Sequence, residues 1–290
     1  MKIADVEYHT PDSLKEACAL LSRYSRKAGV LAGGTDLLVD LKTEAVACNH
    51  IVSLKNLGEL KEISYDRKGG LTIGALATHG EISANRTILK HYPELSEAAF
   101  TLANPQIRNT ATIGGNICSA VPSADAPPLL MAMNASAVLV SVRGERTILL
   151  ADFFKGPRKT AVKPGEILTY ILVPPRPAGT GAAYVKYALR DATALAVVGV
   201  GAAVMMGGGT CKGARIVLGA VAPTPLIARR ASEYLSGKAI DEAVAAEAGR
   251  IAREESRPIS DVRGSAEYRR SLVETLTGRA VLKAAERAGK

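Results

Sequence analysis

The chain has 290 residues, of which 47% are hydrophobic and 22% charged, with a formal net charge of +9. That length suits two domains, or one large domain with subdomains, and the apolar fraction can fill a sizeable core. The charge does not make a nucleic-acid binder: basic residues are interleaved with acids, as in "RIAREESRPISDVRGSAEYRR", aromatics are 4% and Trp is absent, so neither a one-sided basic face nor stacking platforms are present.

In chain order, "TPDSLKEACALLSRY" predicts a helix with Thr10 as N-cap, Pro11 at the first helical position and an apolar stripe of Leu14, Ala17, Cys18 and Leu21. "GVLA" reads as a short buried strand running into "GGTDLLVDLK", a glycine turn that opens a second helix, and "HIVSL" closes the unit as another strand. "LKEISYDRKGGLTIGAL" reads as two strands around a Gly-rich turn, and "THGEISAN" carries a capping box, Thr78 with Glu81. "PELSEAAFTLAN" is helical and delivers the chain into "TIGGNICSAVPSADAPP"; "DAPPLLMAM" starts a further helix, with proline tolerated in its first turn. "SAVLVSVRGERTILL" is a hairpin turning at Gly144, and the proline-rich "VPPRPAGTG" is the best linker candidate. Beyond it lie strands in "AAYVKYAL", "AVVGVGAAVMM" and "GARIVLGAV", then the helix "DEAVAAEAGRIAREE" and a long one over 264–287 with a Tyr268, Leu272, Leu276, Ala280 stripe. The divisions expected from this pattern are 1–55, 56–177 and 178–290, two α/β units and an α+β unit.

Two stretches share one design. "LAGGTDLL" is a strand, Gly33-Gly34-Thr35, then a helix; "TATIGGNICSA" sets Gly114-Gly115-Asn116 among Thr110, Thr112 and Ser119. Paired glycines let backbone approach a ligand without Cβ in the way, and successive N–H groups form an anion nest. A pyrophosphate can thus be held by peptide dipoles and hydroxyls, with no cationic side chain. Asp36 and Asp125 follow the two turns: Asp36 is read as the cap of the helix beginning at Leu37, and Asp125 either caps "APPLLMAM" or accepts hydrogen bonds from ribityl or ribose hydroxyls, roles that are compatible. Neither G-x-G-x-x-G nor G-x-x-x-x-G-K-[ST] occurs, which argues against a Rossmann dinucleotide site and a P-loop.

No apolar run of membrane-spanning length is free of charges or Gly/Pro breaks, and acids stand where a signal peptide has its apolar stretch, so a cytoplasmic protein is expected. The four cysteines lie 30 or more residues apart, and the four histidines show no H-x-x-x-H spacing. A metal site built by this chain alone is therefore not expected.

"AGGTDLLVDLK" and "TIGGN", in this order, resemble the two FAD-binding loops of the flavin subunit of molybdenum hydroxylases, a group that includes carbon monoxide dehydrogenase, xanthine dehydrogenase and hydroxybenzoyl-CoA reductase. The resemblance extends through "DFFKGPRKTAVKPGEILTYILVP" and "VLGAVAPTPLIARRASEYLSG" to essentially the whole chain. It implies an α+β fold of the vanillyl-alcohol-oxidase/PCMH flavoprotein type. Two α/β subdomains would clasp FAD, followed by a C-terminal domain of antiparallel sheet and helices. By position it assigns Leu31, Ala32, Gly33, Gly34, Thr35, Asp36 and Leu37 to the first FAD loop. Leu102, Thr112, Gly115, Asn116 and Asp125 fall in the second stretch, and Leu168 and Lys186 match later flavin contacts. No catalytic acid or base is implied.

Three departures bear on function. Leu102 stands where animal-type relatives carry a phenylalanine beside the flavin. The stretch "YALRDATALAV" lacks the acid-rich character of relatives that tune NAD access to the flavin. The iron–sulfur insertion of the hydroxybenzoyl-CoA reductase type is missing, because there is no cysteine cluster. The implied role is an electron-transfer subunit of a multi-subunit oxidoreductase. Substrate would be oxidised at the molybdenum cofactor of a large partner subunit, and electrons would pass through [2Fe–2S] clusters of a small partner. They would leave to NAD, oxygen or a quinone. The third unit and basic patches are expected to dock the small partner. The alternative is a self-contained flavin-dependent oxidase or reductase on the same fold, which needs its own acid–base set; no histidine lies beyond His91 to supply one. A further alternative is a flavin-free partner-binding module that kept the fold.

Overall fold

The computed structural model describes residues 6–190 and 194–289. Its described strands fall into a three-stranded parallel sheet, a five-stranded antiparallel sheet, a four-stranded antiparallel sheet and a two-stranded ribbon. The fold is thus mixed α and β, with helices packed against sheets.

The parallel sheet places His50–Ser53 between Glu7–His9 and Ala28–Leu31. Parallel strands need crossovers: the helix Leu14–Tyr24, burying Ala17, Cys18 and Leu21, carries the chain from one edge strand to the other, and the helix Leu37–Lys42 from there to the central strand. The cap of the first helix is Ser13 rather than Thr10. The Ser13 hydroxyl accepts from Glu16 N–H at 3.2 Å, while the Glu16 carboxylate accepts from Asp12 N–H at 3.0 Å. Pro11 therefore lies before the helix instead of inside its first turn.

The five-stranded sheet runs Ile63–Asp66, Gly70–Gly74, Ile167–Val173, Ser136–Ser141, Gly144–Leu149. Local signals operate here as read. Thr78 and Glu81 form the reciprocal capping box, and the Ser136–Leu149 hairpin turns at Gly144. The proline-rich segment after Val173 is tied down: Tyr92 donates its hydroxyl to the Pro174 carbonyl at 2.9 Å.

Thr180–Tyr187, Val198–Gly207 and Thr210–Gly219 form the long strands of the four-stranded sheet, covered by the helix Ala266–Ala288, on which Glu242–Glu255 packs. The buried face of the last helix is rotated from the expected stripe. Val273, Leu276, Ala280, Val281 and Ala284 face the core, while Tyr268 is exposed and bonds Tyr187 through its hydroxyl at 2.9 Å. Arg269 takes the core position instead. Its fully buried guanidinium donates to the Val197 carbonyl at 3.0 Å, the Ala220 carbonyl at 3.2 Å and the Asp261 carboxylate at 2.6 Å. The mixing of bases with acids read from this part of the sequence is seen as ion pairs. Arg230, Arg250, Arg253 and Arg263 each pair with a neighbouring carboxylate.

Candidate functional site

The strand Ala28–Leu31 ends where Gly33 and Gly34 turn the chain into the helix Leu37–Lys42. Gly34 holds φ +83°, a left-handed conformation that other residues adopt at a cost. Gly33 serves a different end. A Cβ there would fall on the Thr110 carbonyl oxygen and lie 3.0 Å from its carbon and 3.1 Å from Ala111 Cα. The missing side chain of Gly33 is what lets the first turn lock onto the segment leading to the second.

The second glycine pair is not a loop. Gly114 and Gly115 sit in the first turn of the helix Ile113–Ser119, capped by Thr112, whose hydroxyl accepts from Gly115 N–H at 3.1 Å. Two glycines are poor helix formers, costing about 1 kcal/mol each against alanine, so packing must impose the helix. Gly114 shows how: a Cβ would lie 2.7 Å from both Ala75 Cβ and Ala75 O. The N–H groups of Ile113 and Gly114 donate to the Ala77 and Ala75 carbonyls at 2.9 Å, and Asn116 N–H donates to Thr112 O. The anion nest read into this stretch is therefore already spent on protein acceptors.

The first turn keeps its donors. Among the described residues, the N–H groups of Gly33, Gly34, Thr35, Asp36 and Leu37 have no hydrogen-bond partner. These residues form one wall of a cleft of about 470 Å³ whose opposite wall includes Leu102, Thr112, Gly115, Asn116 and Asp125. On that wall Gly115 presents bare backbone, since a Cβ would meet nothing nearby except the Thr112 hydroxyl at 3.0 Å. Beside it the Asn116 side-chain oxygen is buried without a hydrogen-bond partner. Unpaired N–H donors, an orphaned amide oxygen and a side-chain-free face suit a ligand with anionic and hydroxyl-bearing parts, as a flavin dinucleotide is. The residues present fit that group.

Of the positions assigned by resemblance, Ala32, Gly33, Gly34, Thr35, Asp36, Leu37, Leu102, Thr112, Gly115, Asn116 and Asp125 line this cleft. Leu31, Leu168 and Lys186 stand behind its walls. Leu31 is buried under the first turn, with Cδ1 3.0 Å from where a Gly34 Cβ would be, and Leu168 Cδ2 is 3.0 Å from the corresponding point at Gly114. Neither Asp36 nor Asp125 caps its helix through the side chain.

Asp125 is engaged elsewhere. Its carboxylate accepts from the Tyr184 hydroxyl at 2.9 Å and from the Lys186 ammonium at 2.9 Å. Lys186 is no surface lysine: its side chain is 8% exposed and that of Asp125 9%. Burial pushes the Asp125 carboxyl above its ordinary range, against the opposing pull of the Lys186 ammonium and the two hydrogen bonds. Burial, with the Asp125 charge beside it, pushes the Tyr184 phenol well above its usual value. The trio joins the cleft to the strand Thr180–Tyr187 of the four-stranded sheet.

Sequence reasoning missed Arg158 and Asp40, both in the cleft lining. Arg158 donates from its two terminal nitrogens to the two Asp40 oxygens at 2.5 and 3.0 Å, a bidentate clamp between the walls, and this bond raises the guanidinium further above its normal range. The cleft thus does hold a cation, already neutralised. The positions are 118 residues apart, and nothing local in either stretch signals the pairing. Also missed was Cys118, the exposed cysteine of the four, which lies on the cleft wall. From the stretch thought to shape acceptor access, Ala194 and Leu195 line the cleft, while Asp191, Ala192 and Thr193 lie outside the described residues. Among the described residues, no helix is long and apolar enough to cross a membrane.

Comparison with known proteins agrees with this geometry. Residues 4–176 match the family described as the FAD binding domain in molybdopterin dehydrogenase, and residues 183–284 the CO dehydrogenase flavoprotein C-terminal domain. The chain is 36% identical over 285 residues to the carbon monoxide dehydrogenase medium chain of Afipia carboxidovorans, covering 97% of each. It is 33% identical over 283 residues to the xanthine dehydrogenase FAD-binding subunit of Escherichia coli O157:H7, again covering 97% of each. In structure it superposes on a chain of quinoline 2-oxidoreductase from Pseudomonas putida 86 with TM-score 0.93 at 36% identity, covering 100% of both chains. A chain of carbon monoxide dehydrogenase from Hydrogenophaga pseudoflava gives TM-score 0.95 at 34% identity, covering 99% of both. With both halves matched in order and relatives aligned almost end to end, the chain belongs to the family of FAD-binding subunits of molybdenum hydroxylases.

Proposed function

We propose that the cleft between Gly33–Leu37 and Thr112–Asn116 holds FAD, and that the chain serves as the electron-transfer subunit of a molybdenum hydroxylase. In that assembly a small subunit with [2Fe–2S] clusters would deliver electrons to this chain. A large subunit with the molybdenum cofactor would oxidise the substrate, and NAD, oxygen or a quinone would be the final acceptor. Bound FAD would supply the redox chemistry, accepting and releasing electrons singly or in pairs. The observation that carries the reading is the pairing of five free backbone donors on one wall with a bare glycine and an orphaned amide oxygen on the other.

The chain's residues have separable tasks under this reading. Peptide N–H groups of the first turn would meet the diphosphate, where uncharged donors cost no desolvated cation. Gly115 would keep the opposite wall open to backbone distance, and Asn116 would accept from a ligand hydroxyl or ring N–H. The Arg158–Asp40 clamp would hold the walls at working separation, and the buried Asp125–Lys186–Tyr184 trio would fix the cleft against the C-terminal sheet. We place the divisions between units at 1–55, 56–177 and 178–290, in support of which the three larger sheets each draw their strands from one of these stretches.

Cys118 provides the test. The other three cysteines are buried; Cys118 is exposed, but desolvation pushes its thiol up to about 12 and slows its reaction, so an excess of a thiosulfonate reagent at mildly alkaline pH should label the flavin-free chain slowly and once. FAD should protect that thiol, and the purified protein should carry one flavin per chain. Equal labelling rates with and without saturating FAD would overturn the assignment of the cleft.

A further inference from the structure

At the far end of the three-stranded sheet, Glu7, His9 and His50 converge. Glu7 and His9 are two apart on an edge strand and so share one face, while His50 is the parallel-sheet partner of Glu7 on the next strand. His9 Nε2 lies 3.2 Å from His50 Nδ1, Glu7 Oε2 3.2 Å from His50 Nδ1, and Glu7 Oε1 3.7 Å from His9 Nε2. Around a tetrahedral ion with bonds of about 2.0–2.1 Å, ligand atoms stand roughly 3.3 Å apart. The two imidazole nitrogens stand at that edge length, and one or other oxygen of the Glu7 carboxylate lies within 3.2–3.7 Å of each, so a small rotation of the exposed carboxylate completes three corners of such a figure.

The surroundings favour a site over a chance meeting. Tyr24, the last residue of the crossover helix, stacks on His50 with ring centroids 3.6 Å apart and planes 14° apart, and it also stacks on His9 at 5.1 Å. That wall orients both imidazoles. The two rings are shielded, at 13% and 17% side-chain exposure, whereas Glu7 is 62% exposed and leaves an approach from solvent. Two imidazoles and one carboxylate with an open fourth position is a ligand set for Zn²⁺ and, in coordination chemistry generally, for Ni²⁺ or Cu²⁺.

We propose that Glu7, His9 and His50 form a binding site for one divalent transition-metal ion, with Zn²⁺ as the model ligand and water in the fourth position. The site is separate from the cleft. His50 pairs with Ala28, whereas the turn at Gly33 follows Leu31, which pairs with Ser53 at the opposite end of the same strands. Its effect is structural: the ion ties the edge strand Glu7–His9 to its neighbour and, through Tyr24, to the crossover helix. The spacing escaped sequence reasoning because the ligands come from two strands separated by two helices and a strand.

The experiment is a titration of the FAD-loaded full chain, tag removed, with Zn²⁺ by calorimetry, and with Co²⁺ followed by its visible absorption. One equivalent should bind, the melting temperature should rise with free Zn²⁺, and Co²⁺ should give the intense band of a four-coordinate site. His50→Ala should lower the affinity at least about 100-fold, because a three-ligand set loses one of its two nitrogens. Should that variant unfold by losing its contact with Tyr24, the exposed Glu7→Gln leaves packing untouched and should still weaken binding about tenfold, moving the metal-dependent rise in melting temperature to about tenfold higher free Zn²⁺. No saturable binding to the parent chain, or affinities unchanged in both variants, would overturn the site. So would a parent melting temperature indifferent to Zn²⁺.

Discussion

Replacing Gly33 with alanine tests the interlock between the two walls. The φ of Gly33 is not in the left-handed region, so the backbone accepts alanine and the whole effect is steric. The added carbon would meet only main-chain atoms: the Thr110 carbonyl oxygen, its carbon at 3.0 Å and Ala111 Cα at 3.1 Å. Carbon pairs settle at about 3.5–4.0 Å, so the turn and the Thr110 segment must part by something on the order of 1 Å. Overpacking of this kind costs about 1–3 kcal/mol, which for a chain of this size lowers the melting temperature by roughly 2–10 °C. The same displacement spreads the cleft, so FAD dissociation should rise by roughly 5- to 150-fold if a similar energy is lost on binding. Gly115→Ala is the control that separates the two outcomes. Its Cβ meets only the Thr112 hydroxyl, and the helix gains propensity worth about 1 kcal/mol, so the flavin-free melt should stay within about 1 kcal/mol of the parent while FAD binding weakens. Flavin fluorescence titration and melts of flavin-free protein report both quantities. A Gly33→Ala protein that melts and binds FAD like the parent would refute the interlock.

Three further outcomes follow from the site. Arg158→Lys should weaken FAD retention a few-fold and make it sensitive to salt, because an ammonium cannot reproduce the bidentate clamp on Asp40; flavin content measured across a sodium chloride series checks it. Asp125→Asn should destabilise by about 3–5 kcal/mol by stranding the Lys186 ammonium, and the double change with Lys186→Met should recover part of it; urea midpoints of the four-protein cycle decide, and a single-variant loss under about 1 kcal/mol would contradict the buried pair. His79 is fully buried with Nε2 unpaired, and burial holds its imidazole down at about 4 against an ordinary 6.5. The unfolded chain therefore binds a proton that the folded chain refuses. Stability from this residue is complete above pH 6.5 and is lost as pH falls toward 4, by about 3 kcal/mol in all. His79→Leu should flatten the pH dependence of the urea midpoint across that window, and an unchanged slope would remove His79 as its cause.

What could be read from sequence divides by range. Thr78 and Glu81 are three residues apart and their capping box is purely local, as is the hairpin at Gly144. The helical state of Gly114 and Gly115 was hidden because propensity opposes it and the deciding contact, with Ala75, comes from another element. Ser13 won the cap from Thr10 because it lies directly before the apolar stripe and its hydroxyl accepts from Glu16 N–H. The glycine turns drew attention to the cleft by composition alone, yet composition could not show which turn keeps its N–H groups free. Asp125 illustrates the same limit: an acid before two prolines reads as a cap until Lys186, 61 residues on, arrives beside it. Long-range charge pairing leaves no periodic trace in a single chain.

The Asp125–Lys186 bridge has a consequence for anyone wishing to excise a minimal flavin carrier. Cutting the polypeptide near residue 177 would spare every residue assigned to the cleft lining up to Arg158, yet it would strip Asp125 of its phenol and ammonium partners and bare to water the apolar face on which the C-terminal strands pack. A transplantable fragment would need polar residues on the helix Ala126–Ala132 where it now packs on those strands.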